Sequence, residues 1–459
     1  MNVGNRLRVR ASGPFAGLLR PPSDKSLTHR AYLLAALAES PGSRIDALHT
    51  EGPGAVNPIP VPQLSESVIV DPLRGQDCES TRACLATLGV PSEVFYDREV
   101  RVEGGRTFTD APVTLDCGNS GTTMRLLCGV LAGIPGVQAT LIGDESLSRR
   151  PMGRVVEPLR QMGAQIEGDR APVRLMGQEL AGIDYISPVA SAQVKSCVLL
   201  AGLRATGETW VTEPALSRDH TETMLLALGV ELMERGGLTV GLKGGQTWRP
   251  FDFKVPADIS SAAFTLVAAA LRPGSKVTTT QVGVNPTRTG LLDVLRQCGV
   301  ELEFVGRRRE LGELVADITV IGPECLSPFR IHGPLVPRLI DEIPVLAVLA
   351  TQAHGTSVIQ DARELRVKET DRIAVVSEAL RRMGAQVETF DDGMAITGPT
   401  PLTGATVDSA GDHRIGMSFT IAGLVAHGET EILNADHIAT SYPDFVRHIR
   451  RIGGDIDEA

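Results

Sequence analysis

The chain has 459 residues, 42% hydrophobic but only 4% aromatic, too long for one core and enough for two of roughly 200 residues built mainly from aliphatic side chains. Its 45 Lys and Arg against 55 Asp and Glu give a formal charge of −10 with no basic tail or stripe, which argues against nucleic acid or an anionic membrane as a partner. Seven scattered cysteines without C-x-x-C, nine histidines without ligand spacing, no signal peptide and no apolar run near membrane length predict a reduced, metal-free, cytoplasmic protein.

In chain order, a short strand around residues 7–9 ends near Pro22, and SDKSLTHR (23–30) then runs into an apolar helical stretch over 31–37. Lys25 and Arg30 are spaced to converge on one anion, with Ser26 donating from the first turn; a capped helix with solvated charges is the plainer alternative. Residues 49–70 carry four prolines, no helical period and no counterpart elsewhere, and read as a surface insertion. GNSGTTMR (118–125) precedes the next apolar helix, and its glycines let backbone approach an anion closely, although such turns are common. Arg149 and Arg150 precede Pro151 at a predicted helix start, where an Arg fork clamps an anion or makes a structural ion pair.

SAQVKS (191–196), ADISS (257–261), LIDEIP (339–344) and GDHR (411–414) open four further apolar helices. Alone, Asp341 reads as an N-cap; facing one cleft with Lys25 and Lys368, it becomes a candidate general base. RVKETDR (366–372) places five charged residues among seven at the start of an amphipathic helix over 373–383. Cations there oppose the helix dipole, so the motif calls for an anion.

Each unit closes the same way: an amphipathic helix stops at Gly and a short strand follows. The glycines are Gly89, Gly163, Gly229, Gly299, Gly384 and Gly453, spaced 74, 66, 70, 85 and 69 residues apart. Six such units predict an internally symmetric α/β scaffold, three units per domain. Its nearly all-apolar helices should be buried and, if parallel, should present free N–H groups and positive potential on one face.

The motifs SDKSLTHR, GNSGTTMR, RRPMGR, SAQVKS, LIDEIP, RVKETDR, DHRIGM and TSYPDF cover all six units, and on them the whole chain resembles the EPSP synthase family of enolpyruvyl transferases. The resemblance implies a two-domain inverse α/β prism of six βαβαββ units around buried parallel helices, with an interdomain cleft that closes on substrate. Domain one would comprise residues 1–22 and 253–459, and domain two 23–252. It implies transfer of the enolpyruvyl group of phosphoenolpyruvate to the 5-hydroxyl of shikimate 3-phosphate by a monomer without a cofactor. Asp341 would be the base, Glu369 the acid, and Lys25 the group that touches both substrates. Lys25, Ser26, Arg30, Ser191, Ala192, Gln193, Ser217, Arg218, Asp341 and Lys368 match shikimate 3-phosphate contacts; Lys25, Gly121, Arg150, Gln193, Arg372 and Arg414 match phosphoenolpyruvate contacts.

The chain departs from the best-known form at Ala192, where a serine is common, at Glu364, where an Asn stands, and at Thr440, where one branch has Lys. Lys195 and Arg218 are extra cations expected to share the phosphate binding. The enzyme rival is UDP-N-acetylglucosamine enolpyruvyl transferase, whose Lys-Asn stands here as Lys25-Ser26 and whose loop cysteine is missing from residues 143–151. A non-catalytic anion-binding protein is the other alternative, opposed by the presence of both Asp341 and Glu369.

Overall fold

The computed structural model describes residues 6–39 and 66–459. Six helices form the interior: α1 (Lys25–Leu37), α2 (Gly121–Ala132), α3 (Ala192–Gly202), α4 (Ile259–Ala270), α5 (Ile343–Ala350) and α6 (His413–Gly423). They lack a polar face, and α4 and α5 are buried at every position. The amphipathic helices lie outside them. Each ends two residues before a Gly whose φ lies between 82° and 104°, the left-handed conformation that releases the chain into the next strand.

Six four-stranded sheets surround the helices, and each contains one parallel and two antiparallel pairings. Three sheets borrow a strand from far along the chain. Arg6–Arg10 lies between Glu429–Leu433 and Asp455–Glu458, Ala16–Leu19 pairs with Lys276–Gly283, and Asp252–Lys254 pairs with Ser67–Val70. The buried apolar residues form two clusters, one from residues 7–19 and 257–456, the other from 27–255. The fold is a two-domain α/β prism of six units, and each cluster is the core of one domain.

The chain passes between the cores twice, and the two passages touch. Ser23 bridges Ala257, Asp24 N–H donates to the Pro256 carbonyl at 2.8 Å, and Asp258 N–H donates to the Pro22 carbonyl at 2.8 Å. Phe253 and Val255 still pack in the second core, beyond the crossing expected near Phe253.

The irregular tract expected over 49–70 lies outside the described residues as far as 65. Its end needs correction. Ser67–Val70 is a strand paired on both sides, with Ile69 fully buried, because Ser-Val-Ile-Val offers the period-2 pattern that a sheet can half-bury.

Candidate active site

All six inner helices start at one cavity of about 600 Å³. Its lining takes Lys25 and Ser26 from α1, Gly121 and Thr122 from α2, and Ala192 and Gln193 from α3. Asp258 stands before α4, Asp341 before α5, and His413 and Arg414 open α6. The expectation of free N–H groups holds only in part. Asp24, Ser120, Asp258 and Asp412 cap four of these helices with side-chain oxygens, while Ser191 and Glu342 make no such bond. Among the described residues, nine Lys and Arg and six Asp and Glu line the cavity, a positive surplus suited to anions.

The cations are held in place by named partners. Lys25 Nζ donates to Asp77 at 2.9 Å; burial lowers its pKa, but Asp77 and Glu369 outweigh burial and raise it, so it is charged at neutral pH. Arg30 donates to Thr221 and Ser196 at 2.7 Å each and to the Ser26 carbonyl at 3.0 Å, and burial brings its pKa down to about 10. Gln193 donates to Thr122 at 2.9 Å and accepts from Arg125 at 2.5 Å. Arg150 donates to Asn119 at 2.9 Å.

Two carboxylates sit inside this positive field. Asp341 accepts from Arg218 at 2.5 Å and lies 3.4 Å from Arg372, 3.8 Å from Lys368 and 3.9 Å from Arg414. Burial pushes its pKa up, but these four cations outweigh it and hold the carboxyl well below the usual range. Glu369 accepts from Arg372 at 2.7 Å and faces Arg150 at 3.9 Å. It too is held low, burial being outweighed by Arg372, His413, Arg150 and Lys25. Both are ionised in this surround. Arg150 Nε, Ser217 Oγ, Arg288 Nε and His413 Nε2 are buried on the cavity wall without a hydrogen-bond partner among the described residues.

The family profile described as EPSP synthase (3-phosphoshikimate 1-carboxyvinyltransferase) matches residues 63–449. The chain belongs to the EPSP synthase family. It is 48% identical over 444 residues to the 3-phosphoshikimate 1-carboxyvinyltransferase of Brevibacillus brevis, covering 96% of this chain and 98% of that protein. The Gloeobacter violaceus protein of the same name is 48% identical over 457 residues, covering 98% and 99%. A solved EPSP synthase from Acinetobacter baumannii superposes with a TM-score of 0.84 at 39% identity, covering 98% of this chain and 99% of that one.

Every residue matched to a family contact or role lies on the cavity wall: Lys25, Ser26, Arg30, Gly121, Arg150, Ser191, Ala192, Gln193, Ser217, Arg218, Asp341, Lys368, Glu369, Arg372 and Arg414. Lys195 does not. Its side chain is 2% exposed and its ammonium sits between Glu213 at 2.8 Å and Glu222 at 2.7 Å, so its charge is already matched by carboxylates behind the wall. RVKETDR is also built differently from expectation. Residues Arg363–Val367 form a 3₁₀ turn, and the helix begins at Arg372 with Asp371 as its cap. Arg366 donates to Asp371 and to the carbonyls of Asp391 and Phe390, away from the cavity, and Arg372 is matched by Asp412 at 2.7 Å. Protein carboxylates already pair with both arginines of the motif here.

Asp77, Asp258, Arg288 and His413 line the cavity without having been assigned roles from sequence. Asp77 opens an outer helix (Gln76–Thr87) with an uncharged residue on either side of it in sequence. Arg288 sits in NPTRTG between a strand and an outer helix, where a lone Arg gives no signal.

Proposed function

We infer that this cavity carries out the family reaction, with Asp341 as base, Glu369 as acid and Lys25 assisting the departure of phosphate. The chain is a 3-phosphoshikimate 1-carboxyvinyltransferase, which moves the enolpyruvyl group of phosphoenolpyruvate to the 5-hydroxyl of shikimate 3-phosphate in aromatic amino-acid biosynthesis. The observation that carries the roles is that Asp341 and Glu369, from one domain, share a cationic wall with Lys25 and Arg150 from the other.

Shikimate 3-phosphate is assigned to Lys25, Ser26, Arg30, Ser191, Ala192, Gln193, Ser217, Arg218, Asp341 and Lys368. Arg218 and Lys368 pair with Asp341, and the substrate phosphate competes for both. Drawing them away restores basicity to Asp341, which then takes the proton of the 5-hydroxyl. Phosphoenolpyruvate is assigned to Lys25, Gly121, Arg150, Gln193, Arg372 and Arg414. Its phosphate and carboxylate occupy cations that otherwise hold Glu369 ionised, so the pKa of Glu369 rises, it takes up a proton from water as substrate binds, and it delivers that proton to the methylene carbon. The 5-oxygen bonds to the adjacent carbon as the methylene becomes a methyl group. Glu369, a carboxylate again after its proton has gone to carbon, takes back a methyl proton as phosphate departs with the help of Lys25, and the vinyl group is regenerated.

The domain division is proposed at the two touching passages, residues 21–24 and 255–258, which shifts the second boundary three residues beyond Phe253. A monomer is the preferred reading because one chain supplies the whole wall. No helix among the described residues is long and apolar enough to cross a membrane. A cytoplasmic location is the reading that the unpaired thiols support.

Steady-state kinetics on Arg218→Met and Arg150→Met test these assignments. The first should raise KM for shikimate 3-phosphate about tenfold or more with a smaller effect on phosphoenolpyruvate, and the second should do the reverse. Equal effects on both substrates in both variants would overturn the two-subsite assignment.

A further inference from the structure

We propose that Arg288 is a positioning residue that sets the register between the two halves of the cleft, an inference that rests on the enolpyruvyl-transfer reading of the site. Its side chain is 3% exposed. Nη1 donates to Asp24 at 3.2 Å and to His220 Nε2 at 3.3 Å, and Nη2 donates to Asp258 at 2.9 Å and Ser260 Oγ at 2.8 Å. A guanidinium has five N–H donors, so only Nε–H is left for anything else. Four of the five donors are thus spent on protein partners, so Arg288 acts chiefly through them, while its Nε is buried without a partner among the described residues.

Those partners are the starts of the site helices. Asp24 caps α1, which carries Lys25, Ser26 and Arg30, and Asp258 caps α4. Each follows directly on one of the two passages that pair through Ser23 and Ala257. Ser260 Oγ in turn donates to Glu342, the neighbour of Asp341 at the start of α5. One planar fork thus fastens three of the six helix starts, across both domains, at the point where the chain crosses.

A second tie runs beside it. Because a guanidinium only donates, His220 Nε2 must accept, which leaves Nδ1–H to donate to Glu313 at 2.8 Å. Asn285 donates both to Glu313 at 3.1 Å and to Asp219 at 2.7 Å. His220 and Asp219 stand at the start of a domain-two helix (His220–Ala227), while Glu313 and Asn285 belong to domain one. A residue serving only local stability would find its partners in one domain. Arg288 finds them in both, on the residues that aim Lys25 and Asp341.

Arg288→Lys and Arg288→Met, each measured for turnover, for KM of phosphoenolpyruvate and for calorimetric binding of shikimate 3-phosphate, test this. Most contacts assigned to shikimate 3-phosphate lie on one half, so its Kd should stay within about threefold. Those assigned to phosphoenolpyruvate come from both halves, so its KM should rise about tenfold and turnover should fall about 10–100-fold, the scale of a small misplacement. Lysine keeps the charge but cannot span the partners, so it should retain at least a tenfold turnover deficit. If the methionine variant fails to fold, the lysine variant decides. Turnover and KM within twofold of wild type in that variant, even with a lowered melting temperature, would make Arg288 merely structural. An equal loss of affinity for both substrates would also overturn the proposal. The wild-type rate judges the reading of the reaction, and the ratio of variant to wild type judges this inference.

Discussion

Asp341→Asn and Glu369→Gln are each expected to lower turnover by roughly 10²–10⁴-fold, the range for losing a positioned base or acid. Among the wall carboxylates, Asp341 has the densest cationic surround, with Arg218, Arg372, Lys368 and Arg414 all within 3.9 Å, and Glu369 shares Arg372 with it. Such a surround keeps both ionised until substrates claim the cations. The amides preserve shape and remove charge, so binding and chemistry should separate. In Asp341→Asn, Arg218 and Lys368 lose a competitor for the phosphate, and the Kd of shikimate 3-phosphate should stay the same or fall while turnover collapses. Rapid-quench turnover with calorimetric binding on the same preparations reads both. A near-native rate in either variant would remove that residue from its role, and a weakened Kd in Asp341→Asn would show that its charge serves binding.

The second large effect is on stability. Gly129 lies in α2 against the backbone of α3, and an added Cβ would stand 2.2 Å from the Cys197 carbonyl oxygen and 2.9 Å from its carbonyl carbon and Cα. Neither neighbour is a side chain that can turn away, so the helices must part. Gly129→Ala should therefore cost about 3 kcal/mol or more, at or beyond the upper end of ordinary overpacking, and lower the melting temperature by about 5–10 °C. Gly153→Ala is the control, because nothing lies within 4 Å of its added Cβ. Calorimetric scans of the two variants side by side give the answer. Equal melting temperatures would mean that α2 and α3 are not packed backbone to backbone.

What the sequence made legible follows from what repeats. Buried helices need apolar residues on every face, and the Gly stops need a left-handed residue, so both recur six times and both are visible in one chain. The site residues stood out because polar clusters interrupt that pattern at the inner helix starts, as at Lys25, Gln193 and Asp341, and at two outer ones, as at Arg150 and Lys368. Arg288 and Asp77 escaped because they lie outside those clusters, and their roles depend on segments far away in sequence, Asp24 and Asp258 for one and Lys25 for the other. Lys195 misled for the converse reason. It stands in a polar cluster at the start of α3 yet turns inward to Glu213 and Glu222, and residue type alone does not reveal which way a side chain points. Arg366 likewise looked like an anion ligand because its carbonyl partners, Phe390 and Asp391, carry no mark in the sequence.

The most direct test of the enolpyruvyl-transfer account is phosphate release by the purified protein supplied with phosphoenolpyruvate and shikimate 3-phosphate, singly and together. Release should require both, should match formation of the enolpyruvyl ether one for one, and should not occur when UDP-N-acetylglucosamine replaces shikimate 3-phosphate. Release from phosphoenolpyruvate alone, or only with the nucleotide sugar, would contradict the account.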